Sequence, residues 1–283
     1  MTSHFPLSAF RDCKGGRQMS SSLRPMKPCV LIPSYNSGPL LRPTVAGALA
    51  VWEDVFVVID GSTDGSDADL ESLADKYSGL RVHRLPVNRG KGAAVLAGIA
   101  LAQAEGFTHA LAMDSDGQHP ANHIRRFMET GKAYPEALVL GVPVFDASAP
   151  ALRVNGRKIS NWWANLETGW WGIHDSLFGM RLYPIAPLIE AFSNTSFARR
   201  FDFDPEVAVR LCWRGVPVIN LKTPVRYLTA EEGGVSQFRY LRDNTLLTGM
   251  HIRLFFGFLL RIPALTRRGR NPLRDVEPAA HTN

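Results

Sequence analysis

From residue 28 onward the chain alternates short apolar runs with longer amphipathic stretches. Residues 29–33, 55–60, 81–85, 108–114 and 137–142 are β-rich and almost continuously apolar, the pattern of strands covered on both faces. Between them, residues 39–51, 66–77, 92–104 and 119–133 carry helix-like patterning, and Ser66 and Asp69 have the spacing of a capping box. This alternation predicts an α/β fold built on a parallel, doubly wound sheet with right-handed crossovers. The second half is less regular. It predicts an aromatic-rich helix over 157–171 that carries Trp162, Trp163, Trp170 and Trp171, a segment at 177–183, a helix over 205–214 and a strand over 216–221. From 236 to 270 the pattern is that of a basic, strongly apolar helix pair interrupted at Pro263.

Composition narrows the picture. A chain of 283 residues with 45% hydrophobic content can bury a sizeable core in one large domain, and its charge of +6 suits an anionic partner. Cys13, Cys29 and Cys212 lack metal-ligand spacing, and the apolar surroundings of Cys29 and Cys212 suggest ordinary buried thiols, which favours a reducing compartment. The first 27 residues are polar, include Gly15-Gly16 and Ser20-Ser21-Ser22, lack a signal-peptide core and read as a flexible leader. The longest apolar run, 254–260, falls well short of the roughly 20 residues a membrane span needs. With Arg267, Arg268 and Arg270 following, the C-terminal helices read either as lying in a membrane interface or as packing on their own domain.

The most informative segment is Asp114-Ser115-Asp116-Gly117-Gln118-His119. If the strand runs to Asp114, alternate residues place Asp114, Asp116 and Gln118 together at its carboxyl end, where open α/β sheets bind ligands. Two adjacent carboxylates call for positive charge, and a hard cation such as Mg²⁺ or Mn²⁺ carrying a phosphorylated substrate would supply it. The alternative is a polar turn whose aspartates cap the next helix. Earlier strands also end in polar groups. Tyr35, after Pro33 and before Asn36, can cover a nucleobase; Asp60 can accept from a ring N–H of uracil or guanine or close an Asx-turn. Asn88-Arg89-Gly90-Lys91-Gly92 opens a helix where backbone N–H groups and Lys91 would meet a phosphate, although it is not a P-loop.

Taken in order, Pro33-Ser34-Tyr35-Asn36, Val57-Val58-Ile59-Asp60-Gly61-Ser62-Thr63-Asp64-Gly65, Asn88-Arg89-Gly90-Lys91-Gly92 and Asp114-Ser115-Asp116-Gly117-Gln118-His119-Pro120 resemble family 2 glycosyltransferases of the GT-A fold, nearest the dolichyl- or polyprenyl-phosphate mannosyltransferase branch. The resemblance implies that Pro33, Tyr35, Asn36 and Asp60 hold the nucleotide and that Lys91 and Ser115 belong to the donor site. It also implies that Asp114, Asp116 and Gln118 hold a divalent metal on the diphosphate, and that transfer inverts the anomeric centre. It further implies an acceptor side at Arg157, Ser160 and Arg181, and a loop at 231–236 flanked by Arg226 and Arg239. Arg181 can instead be an internal ion-pair partner. Asp204, and second Glu206, would take the proton of a hydroxyl acceptor, unless Asp204 merely caps the helix after it; a phosphate acceptor needs no base. Ser37, Ile59 and Pro143 depart from the branch, which often has Glu, Asp and a phosphate-binding Arg there.

The resulting expectation is a GT-A domain over 28–230, an acceptor loop and interfacial helices over 231–270, and a flexible tail over 271–283. Its donor would be a UDP- or GDP-sugar and its acceptor a lipid or lipid-linked group at the cytoplasmic membrane face. Nucleic acid is not an expected partner. The rivals are a nucleotidyltransferase, whose glycine-rich Arg/Lys signature is missing from 33–37, and a non-catalytic scaffold, against which the Asp116 carboxylate argues.

Overall fold

The computed structural model describes residues 25–145, 151–225, 239–274 and 276. Seven strands form one sheet: β1 (Pro28–Ser34), β2 (Val55–Asp60), β3 (Leu80–Leu85), β4 (His109–Ala112), β5 (Leu138–Val144), β6 (Arg181–Pro184) and β7 (Val218–Pro224), in the order β3-β2-β1-β4-β6-β5-β7. β1 pairs in parallel with β2 and β4, β2 with β3, and β5 with β7. The exception is β6, which is antiparallel to both β4 and β5. It places Arg181 opposite Ala112 of β4 and Leu140 of β5.

The helices are α1 (Leu41–Leu49), α2 (Leu70–Ala74), α3 (Lys91–Ala104), α4 (Ile124–Ala133), α5 (Ala151–Glu167), α6 (Ile185–Phe192), α7 (Phe203–Trp213), α8 (Tyr240–Leu259) and α9 (Ile262–Arg267). Two apolar layers sandwich the sheet. Alternate β1 residues Cys29 and Leu31 face a layer built from α3, α6 and α7, while Val30 and Ile32 face one built from α1, α2 and α4. Burial on both faces explains the continuous apolar runs of β1 and β2.

Several sequence expectations change. The capping box does not form: α2 starts only at Leu70, and Ser66 bonds the Asp64 carboxylate instead. α5 stops at Glu167, so Trp170 and Trp171 lie beyond it; Trp170 has φ +59° and is exposed, whereas Trp171 is buried and donates to the Val216 carbonyl. The C-terminal helices break before Pro263, which sits in the first turn of α9, a position that needs no N–H partner. α8 packs inward through Asp243, Met250, His251 and Leu254. Among the described residues no helix is long and apolar enough to cross a membrane. Arg226 and the loop at 231–236 lie outside the described residues.

Candidate active site

β4 ends at Ala112, two residues before the acidic motif, so the motif is a turn rather than a strand end. Gly117 has φ +72°, and Asp116 Oδ1 accepts from the Gln118 N–H at 3.0 Å, which closes the turn. Asp114 sits over Gly179, where even a Cβ would come within 2.0 Å of its Oδ2. His119 Nε2 lies 3.4 Å from that same oxygen, its ring packed edge-on against Phe178 at 4.7 Å.

Lys91, the first residue of α3, is the hub. Its Nζ lies 2.7 Å from Asp114 Oδ1 and 2.7 Å from Asp204 Oδ2, which joins the β4 turn to the first turn of α7. Burial alone would lower the Lys91 pKa, but its two carboxylates outweigh this and raise it. Burial would likewise raise Asp114, yet Lys91 and then His119 hold it well below the usual carboxylate range. Asp116 goes the other way: burial first, and then the charge of Asp114, push its carboxyl up.

Asp116, Asp114 and Gln118 would offer the all-oxygen set that a hard cation takes. Among the described residues no group of three or more His, Cys, Asp or Glu could hold a metal ion. A cation here would therefore rest on two carboxylates and an amide, completed by donor oxygens, as Mg²⁺ sites at phosphates commonly are.

Other expected site residues fall in different places. Asp60 is buried, and its oxygens accept from the Arg89 and Gly90 N–H groups at 2.8 and 2.7 Å. It is thus a strut that fixes the turn before α3, not an Asx-turn. Together with the Arg199 carbonyl, which accepts from Ala93 N–H at 3.0 Å, it occupies N–H groups that the sequence offered to a phosphate. Pro33 is buried inside β1 opposite Val58, so only Tyr35 and Asn36 beyond it reach the sheet edge. Asn36 accepts from Thr63 N–H at 2.8 Å and donates its own N–H to Ser62 Oγ at 3.0 Å. Ser115 Oγ lies 2.6 Å from Ser37 Oγ, so where the resembled branch has Glu, a serine ties the first loop to the acidic turn.

On the acceptor side, Arg181 is fully buried and donates to the Phe178 and Asp204 carbonyls, which makes it scaffold rather than an acceptor ligand. Arg157 reaches Asp175 at 3.3 Å. Ser160 Oγ is buried 3.2 Å from both Ser176 Oγ and His251 Nε2. Arg239 contributes its backbone N–H to Asp243. Asp204 does not cap α7, whose N-cap is Asp202; its carboxylate faces Lys91 instead. Glu206, the second candidate base, is buried and clamped by Arg210 at 2.7 Å and by Arg253, so it belongs to the α7–α8 junction. Sequence reading missed His119 and Gly179 as neighbours of Asp114, and no spacing rule would have found them.

Residues 29–202 match the family model described as glycosyl transferase family 2. The polyprenol monophosphomannose synthase of Mycolicibacterium smegmatis is 28% identical over 79% of this chain and 86% of its own length. A dolichyl-phosphate beta-glucosyltransferase of Trichomonas vaginalis is 28% identical over 63% of this chain, which spans only 58% of that relative. In fold, the chain is similar to the mannosyltransferase PcManGT from Pyrobaculum calidifontis, solved in complex with GDP-Man and Mn²⁺, with TM-score 0.53 and 15% identity over 93% of this chain and 79% of that one. With its GT-A-like sheet and its acidic turn, the chain belongs to glycosyl transferase family 2 and is a glycosyltransferase.

Proposed function

We propose that the enzyme transfers a sugar from a UDP- or GDP-linked donor to a polyprenyl-type lipid acceptor, at the cytoplasmic surface of a membrane and with inversion at the anomeric carbon. The observation that carries this reading is the convergence of Asp114, Asp116, Lys91 and Asp204 from three elements at the carboxyl edge of the sheet. The names of the two lipid-phosphate relatives support the acceptor class.

In this reading Tyr35, half-buried past β1, offers its ring to the base. Asp116, Asp114 and Gln118 would hold Mg²⁺ or Mn²⁺, which supplies Lewis-acid stabilisation of the nucleoside diphosphate leaving group when bound. Asp204 lies at the same cluster and would accept the proton if the acceptor is a hydroxyl; a phosphate acceptor arrives already ionised.

The membrane reading rests on the outer face of α8. Leu241, Thr245, Thr248, Ile252, Phe256 and Leu259 recur at helical spacing on its exposed side without a charge among them. Leu241 is 90% exposed and Phe256 62%. Ring contacts running Trp162, Trp163, Phe255, Phe256 join this stripe to the exposed Ile159 and Trp162 of α5. Arg242, Arg267 and Arg270 lie nearby in sequence and are exposed, suited to anionic headgroups. The free, buried thiols of Cys29 and Cys212 suit a reducing, cytoplasmic side.

The test is incubation with radiolabelled UDP- and GDP-sugars and a membrane lipid extract. Label entering the organic phase with one donor is expected. Donor consumption that yields only free sugar or a water-soluble product would contradict the lipid acceptor.

A further inference from the structure

Lys91 is placed unlike a phosphate ligand. Its side chain is 14% exposed, and its ammonium lies 2.7 Å from one oxygen of each of two carboxylates. Those carboxylates come from separate elements: Asp114 follows β4, and Asp204 lies in the first turn of α7. The backbone that carries the lysine is fixed on either side. Gly90 takes φ +100° against the Arg199 carbonyl, and its N–H is held by Asp60. Gly92 is pressed on Ala198 and Phe203 so closely that a Cβ would come within 2.5 Å of the Ala198 carbonyl. Around the cluster, His119 approaches the other oxygen of Asp114 and the Arg181 guanidinium bonds the Asp204 carbonyl. Asp116, by contrast, accepts from the Gln118 backbone N–H at 3.0 Å.

We propose that Lys91 is a positioning residue, the internal counter-ion of this site, which rests on the metal reading above. It fixes the spacing between Asp114 and Asp204. Its charge, touching one of the two expected metal ligands, also weakens the affinity of the turn for a free divalent ion. The ion is then taken up together with the anionic nucleotide-sugar, whose diphosphate offsets the ammonium. A phosphate-binding lysine would behave differently: its loss would weaken donor binding and leave the affinity for free metal unchanged.

The experiment is a nucleotide-free Mn²⁺ titration of the whole protein, followed by electron paramagnetic resonance, for wild type, Lys91→Met and Lys91→Arg, with folding checked by circular dichroism. Lys91→Met is expected to bind Mn²⁺ about tenfold more tightly than wild type, and Lys91→Arg, which keeps the charge, to stay within about twofold of it. Should the methionine variant not fold, Lys91→Gln carries the same comparison. Equal or weaker binding in the uncharged variant overturns the counter-ion role while leaving the metal site standing. Binding in that variant but none in wild type upholds the counter-ion role. Binding in neither overturns it, and repeating the wild-type titration with nucleoside diphosphate then tests the metal reading by itself, which absence of uptake there too would contradict.

Discussion

Asp114 and Asp116 lie two residues apart and differ in charge balance, because Lys91 and His119 attend the first and a single backbone N–H attends the second. Chemistry at this turn therefore depends on contacts that fix Asp114 from below. Gly179→Ala would put a methyl group within 2.0 Å of Asp114 Oδ2. Relief requires moving the carboxylate or the backbone, so the variant should lose about 1–3 kcal/mol of stability in urea unfolding, together with most of its transferase activity. At this scale the sequence named Lys91, Asp114 and Asp204, which the fold brings together, but not the contacts each one makes. Asp60, Arg181 and Glu206 are polar residues in motif-rich surroundings, and each proves to be a buried strut. Which buried acid or base serves the structure depends on partners 23 to 47 positions away, such as Asp204 for Arg181 and Arg253 for Glu206.

At the scale of elements, β4 sets where the acidic turn begins, and its first residue is a buried titratable group. His109 Nδ1 lies 2.9 Å from Thr108 Oγ1 and Nε2 lies 2.7 Å from the Pro135 carbonyl. Since that carbonyl can only accept, Nε2 carries the hydrogen, and the hydroxyl donates to Nδ1 when the ring is neutral. Burial, partly opposed by the Pro135 carbonyl, lowers its pKa below 6.5. The unfolded chain then binds the proton more readily than the folded one. The contribution of His109 is complete above pH 6.5 and is lost as pH falls through its lower folded value. Melting temperatures measured from pH 7.5 down to 5 should show this loss in wild type and less of it in His109→Gln. The strands of this half were readable because double burial makes them continuously apolar. The reversed direction of β6 was not, since four buried residues carry no mark of orientation. α6 was missed for a similar reason: its mostly apolar run follows β6 directly, without a polar break.

At the scale of the whole molecule, the proposed function has the catalytic edge and the α8 stripe serve one reaction. α8 is joined to the domain by Arg253 on Glu206 and by His251 between Glu167 and Ser160, which leaves the Leu241–Leu259 side free to meet lipid. Ile252→Asp combined with Phe256→Asp changes exposed positions alone. This double variant should keep the wild-type melting temperature yet fail to sediment with vesicles containing anionic lipid; unchanged sedimentation would remove α8 as the membrane face. The central claim is that the Asp114–Gln118 turn works with a divalent metal to move sugar from a nucleotide to a lipid. It is tested most directly by the rate of label transfer from the preferred nucleotide-sugar to polyprenyl phosphate in detergent micelles, with Mn²⁺ or with a chelator, for wild type and Asp116→Ala. The account predicts transfer with metal that falls about 100-fold or more on chelation and equally in folded Asp116→Ala. Transfer that persists at the wild-type rate under either change would contradict it.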